Sequence, residues 1–210
     1  MAGPRTQAVT RSSGPRGGRP TGTGSVRRRV FVRRGSSERG AALVEMALVL
    51  PLLLMIVFGV VEFGATYSNF INLRDGVRNA ARSASVGSFG TTTSCNLTGA
   101  GEASTNVQRL MCLTKQETGL DTTQLRVKVL SADSTFATAG TFAKNDGIII
   151  CAQIPTKAMT GFLSNALTGR TLQTKVAMRI EKSDITATAG DETAPTGRDW
   201  SWCTYSAFSP

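Results

Sequence analysis

The residues able to do chemistry are few, and their types narrow what that chemistry is. The chain of 210 residues has no histidine, so the commonest general base is missing. It carries no nucleophile elbow, no phosphate-binding glycine loop after a strand and no pair of carboxylates in a recognisable motif. Four cysteines, Cys95, Cys112, Cys151 and Cys203, contain no C-x2-C pair, which argues against zinc and for disulfides in an oxidising compartment. Three pairings are open; Cys95 with Cys112 and Cys151 with Cys203 is the favoured one. The last constellation is Gly40, four uncharged residues and Glu45, at the head of a long apolar run. A carboxylate there needs a reason, because ionised groups near lipid are costly. The inventory is that of a component rather than an enzyme, with no cofactor and no metal.

The elements that hold these residues follow from charge and hydropathy. Residues 1–40 hold ten arginines against one acid, Glu38, and account for nine of the ten net positive charges. The remaining chain is nearly neutral, so nucleic acid is not an expected partner and the basic block reads as a tail or topology signal. Its Gly, Pro, Ser, Thr and Arg composition predicts a disordered leader over 1–40. From Ala41 to Val61 the only charge is Glu45. Twenty-one such residues make a helix of about 31 Å, one bilayer core, and a transmembrane helix is expected over 41–63, with the bilayer as its partner. Pro51 removes one backbone donor within it, which membranes tolerate. Arg27, Arg28, Arg29, Arg33, Arg34 and Arg39 before the run, against Arg74 after it, place the N-terminus in the cytoplasm and the C-terminal domain outside. The segment Arg28 to Arg33 approaches the twin-arginine export pattern, but the following run is too apolar and contains Glu45.

A cleavable secretory signal has a shorter apolar region and a cut after it. Here the glycine precedes the run, and the arrangement resembles the class III signal of type IV pilins and pseudopilins. The stretch "GAALVEMALVLPLLLMIVFGVVEFG" followed by "NAARSAS" is similar to the TadE-like family of minor pseudopilins of the tight-adherence (Flp) pilus machinery. The matching positions are Gly40, Glu45, Pro51, Glu62, Gly64, Ala80, Ala81 and Arg82, and the match covers about residues 38 to 86. The resemblance implies cleavage by a prepilin peptidase between Gly40 and Ala41, on the cytoplasmic side, with Glu45 fifth in the mature chain. It also implies other pilus subunits and tight-adherence membrane proteins as partners, and a single-pass protein of the cytoplasmic membrane that can enter a pilus. Physically, a glycine lets an extended backbone approach a protease closely. The cut creates an α-amine about one helical turn from Glu45, able to pair with it in the same or a neighbouring subunit. Glu62 reads as an interfacial residue at the exit side. The alternative is an unprocessed single-pass anchor whose outer domain binds a ligand.

Beyond Gly64, Phe70, Leu73, Val77, Ala80 and Ala84 keep helical spacing and Arg74, Arg78 and Arg82 recur every four residues, predicting an amphipathic helix over 64–86 that ends at Gly87. The domain over 87–185 is expected to be α+β: a short helix over 104–115, strands over 124–131, 147–155 and 171–182, and an amphipathic helix over 156–169. The tail over 186–210, with the aromatics of "DWSWCTYSAF", is expected to dock on this domain; an aromatic surface for a neighbouring subunit is the competing reading.

Overall fold

The computed structural model describes residues 37–91, 95–101, 104–161, 163–182 and 185–205. The leader before residue 37, including the arginine-rich segment, and the end of the aromatic tail lie outside the described residues. The chain divides into two units, Met1–Glu45 and Met46–Pro210. In the first, the described part is the opening of helix α1, which is assigned from Ser37 to Ser85 with Pro51 inside it. The helix thus begins three residues ahead of Gly40, earlier than the apolar run alone predicts.

Within the second unit α1 changes surroundings along its length. From Met46 to Val61 its large apolar side chains are exposed, among them Leu48 at 74 % and Val60 at 67 %. It is the one helix among the described residues that is long and apolar enough to cross a membrane. Farther on, Leu73, Val77, Ala80, Ala81 and Ala84 are fully buried at the three- and four-residue spacing of one helix face, and Arg74, Arg78 and Arg82 lie exposed opposite them. The alanines let the backbone lie close to the core. Gly76 carries this furthest, since a Cβ there would stand 2.5 Å from the Thr118 amide nitrogen. The helix ends where the sequence predicts: Gly87 takes φ 73°, its N–H donates to the Ala84 carbonyl and that of Ser88 to the Ser83 carbonyl, a Schellman closure.

Helix α2 (Thr105–Thr118) is capped by the Ser104 hydroxyl, which accepts from the Val107 N–H, and closed by Gly119 in the left-handed region. Strands β1 (Arg126–Ala132), β2 (Gly147–Pro155), β3 (Thr171–Arg179) and β4 (Gly190–Asp191) form one antiparallel sheet in the order β3-β2-β1-β4. Strand β2 is buried from Gly147 to Ile154 because both its faces are covered. Ile148, Ile150, Ala152 and Ile154 join the core under α1 and α2, while Ile149 and Cys151 face a second cluster closed by Cys203, Trp200, Trp202 and Tyr205. The tail therefore docks, as its aromatics predict, and it also supplies β4, which its turn-rich composition conceals.

The α+β layout expected from the sequence is the one found, with two local differences. The helix expected over 156–169 shrinks to the single turn α3 (Ser164–Leu167). Residues ahead of it form a loop, because the amides of Met159 and Thr160 bond to a carboxylate on α1 instead of to a helical ladder. Strand β3 stops at Arg179, short of the expected Lys182; the Ile180 N–H still donates to the Asp146 carbonyl beside the start of β2, and the Glu181 N–H then donates to the Ser85 carbonyl at the end of α1, drawing the chain off the ladder.

Candidate processing and assembly site

Gly40 lies within α1, exposed, with a negative φ. A Cβ added there would meet nothing within 4 Å. Neither packing nor backbone conformation requires a glycine at this position, and in a helix glycine costs about 0.5–1 kcal/mol relative to alanine. Its place near the helix start matters for access, since the first four N–H groups of a helix have no intrahelical partner and the first turn opens most readily. Ala41 and Glu45 are four residues apart on the helix and so share a face. Both are exposed, among the exposed apolar side chains of Leu43 and Val44.

In the second unit Pro51 sits among exposed apolar residues, where its missing N–H leaves the Ala47 carbonyl without its helical donor. Glu62 is different in kind. It is 1 % exposed, and its carboxylate accepts from the Met159 N–H at 2.6 Å, the Thr160 N–H at 3.0 Å and the Thr160 hydroxyl at 2.7 Å. It is a clasp between helix and loop, a role that the interfacial reading of the sequence lacks. Gly64 is exposed and open. Ala80 and Ala81 are fully buried in the core, and Arg82 is their exposed neighbour.

The structure pairs Cys95 with Cys112 and Cys151 with Cys203. Bridges spanning 17 and 52 residues constrain the unfolded chain by roughly 3 and 4 kcal/mol in the loop-entropy account. The first bridge adjoins a group not evident from sequence. Lys115 and Glu192 form an ion pair at 2.8 Å with both side chains 0 % exposed. The ammonium also donates to the carbonyls of Asn96 and Thr122, and the carboxylate accepts from the N–H groups of Thr98 and Val127. Burial pushes the Lys115 pKa down, and the hydrogen bond and charge of Glu192 oppose that. Spacing could have found half of this, since Lys115 follows Met111 and Cys112 on the inner face of α2; nothing in sequence marks Glu192 as its partner.

A cleft of about 280 Å³ lies beside Thr66, Asn69, Leu120 and Leu172. Its carboxylate, Asp121, and its ammonium, Lys157, stand 3.8 Å apart as an ion pair. The hydroxyl and amide of Thr123 hold Asp121 below the usual carboxylate range. This is a charged rim, without two groups poised for proton transfer.

Comparison with known proteins bears on the helix. Residues 40–82 match the family model described as TadE-like protein, the family the sequence resembles. No curated protein and no solved structure matches the chain.

Proposed function

We propose, from the premise that residues 40–82 are a TadE-like segment, that this protein is a minor pseudopilin of a tight-adherence (Flp) pilus system. The family match supports the coarser statement, a component associated with that pilus. A prepilin peptidase removes the basic leader between Gly40 and Ala41, the apolar part of α1 stays in the cytoplasmic membrane, and the disulfide-bonded domain lies outside. The observation that carries the reading is Gly40 itself. The fold leaves this glycine without a packing or conformational role, and it is the first residue of the matched segment, inside α1, with Glu45 one turn beyond the new N-terminus. A residue the fold does not need is accounted for by a partner that does, here a protease cleft that excludes a Cβ.

After cleavage the Ala41 amine is cationic below a pKa of about 8. It then shares a helix face with Glu45, and pairing within or between subunits offsets the cost of a carboxylate at the membrane edge.

The test is the mass and N-terminal sequence of the membrane-bound protein from cells containing the matching peptidase. A chain starting at Ala41 is expected for the natural sequence, and an intact leader for Gly40→Leu. Normal maturation of Gly40→Leu, or an intact leader on the natural chain, overturns the proposal. Glu45→Ala is expected to insert normally but to assemble poorly with other pilus subunits, read by co-purification from membranes.

A further inference from the structure

Glu62, Met159 and an aromatic pair on α1 together mark a level along the helix. Phe63 and Tyr67 stack with ring centroids 6.1 Å apart, and both are exposed, at 71 % and 55 %. Exposed aromatics at the end of an apolar helix are the anchors expected at a membrane–water boundary. Tyr67 lies five residues beyond Glu62, or about 7.5 Å along the axis. The carboxylate of Glu62, on the lipid side of that ring, would be expensive if left bare. It is instead enclosed by the loop ahead of α3. The same bonds fix the backbone of Met159 at this level, and the Met159 side chain is left 74 % exposed.

Single exposed apolar side chains are common and need no explanation. Met159 differs in being on a loop held to α1 by a buried charge, against the helix face on which Phe58, one turn before Glu62, is 40 % exposed. Its surface continues the one that the helix presents to lipid.

We propose that the loop carrying Met159 is a second membrane contact. Met159 inserts at the boundary between headgroups and acyl chains of the outer leaflet, and Glu62 is the positioning residue that sets its depth. The contact gives the domain a second point of attachment and so restricts its rotation about the helix. The proposal rests on the membrane-spanning reading of α1 and is independent of cleavage after Gly40.

All four natural cysteines are in disulfides, so an added thiol can be labelled selectively. The full chain is reconstituted in phosphatidylcholine vesicles with an environment-sensitive fluorophore at Met159→Cys, at Leu54→Cys in the apolar part of α1, or at Ala137→Cys. Ala137 lies between β1 and β2, at the end of the sheet away from Met159. Quenching by a lipid-borne spin label and by aqueous iodide is compared. The Met159 probe is expected to be quenched by lipid several-fold more than the Ala137 probe, and Glu62→Ala is expected to abolish most of that difference while leaving the Leu54 probe unchanged. Iodide access at Met159 equal to that at Ala137, with Leu54 still quenched by lipid, overturns the proposal and leaves the spanning helix standing. Loss of lipid quenching at Leu54 as well overturns both. Protection from iodide without lipid quenching, growing with the protein-to-lipid ratio, also overturns it, because a second copy then covers the loop. Full lipid quenching at Met159 in Glu62→Ala overturns the role given to Glu62.

Discussion

The two halves of α1 within the second unit obey different solvents. Between Met46 and Val61 the large side chains are apolar on every face and exposed. Between Leu73 and Ala84 apolar residues keep to one stripe, all of them buried, and the opposite side is basic. Size differs too: Leu, Val, Ile and Met fill the first half, while three of the five buried residues of the second stripe are alanine. Lipid accepts bulk in all directions, whereas a packed core accepts it on one face alone, and small residues there let the helix approach closely. Both halves belong to one continuous helix, so the change in surroundings is written in side-chain volume and periodicity.

Exchanging one leucine in each half sharpens this contrast and carries the largest expected effect. Leu73→Ala is expected to cost about 2–5 kcal/mol of domain stability, as for buried leucines generally. Urea unfolding of the detergent-solubilised protein reads it. Leu53→Ala, in the exposed half, is expected to leave that midpoint unchanged. Equal effects of the two would show that the halves do not differ as described.

Gly76→Ala probes the approach of the second half to α2 at a smaller scale. The new methyl meets the backbone of Thr118, an overpacking expected to cost about 1–3 kcal/mol, whereas Gly59→Ala, with nothing within 4 Å, is expected to be neutral or slightly stabilising.

Legibility from sequence follows the same division. The apolar half of α1, its end at Gly87 and strand β2 are each announced by a local pattern: an unbroken apolar run, a glycine after the last periodic residue, and a β-branched stretch. The loop ahead of α3 is not, because its amphipathic spacing suits a helix and only Glu62, far away in the chain, supplies a competing acceptor for its amides. Strand β4 is short and begins with glycine; its existence depends on β1 beside it. The Lys115–Glu192 pair likewise joins residues 77 apart, which no spacing rule reaches. At the candidate site, Gly40 and Glu45 are legible as a pattern, whereas the enclosure of Glu62 is purely tertiary.

The smallest expected effect is on pH. Hydrogen bonds from Thr135, Thr141 and Ser201 and their neighbouring amides hold Asp133, Asp146 and Asp199 below the usual carboxylate value. For a carboxylate with a lowered folded pKa, the stabilisation is complete above its unfolded value of about 3.9 and disappears as pH falls through the folded one. Thermal unfolding is expected to be flat from neutral pH to about pH 5 as far as these groups are concerned. A gradual decline should begin below about pH 4 in the domain, while the helical signal of the lipid half persists. Unchanged melting down to pH 2 would show that these turns contribute nothing.

The bridge from Cys151 to Cys203 also imposes an order in time. Cys151 emerges during synthesis 52 residues ahead of its partner, an interval of roughly 3–10 s at 5–20 residues per second. Throughout it the outward side of β2 lacks its cover, with Ile149 bare and one thiol unspent, and β3 (Thr171–Arg179) itself emerges only partway through the interval. Maturation of this domain is thus timed by its last segment: until residue 203 arrives, the nascent sheet is a sticky, reactive intermediate, and whatever oxidises or shields it must act within those seconds.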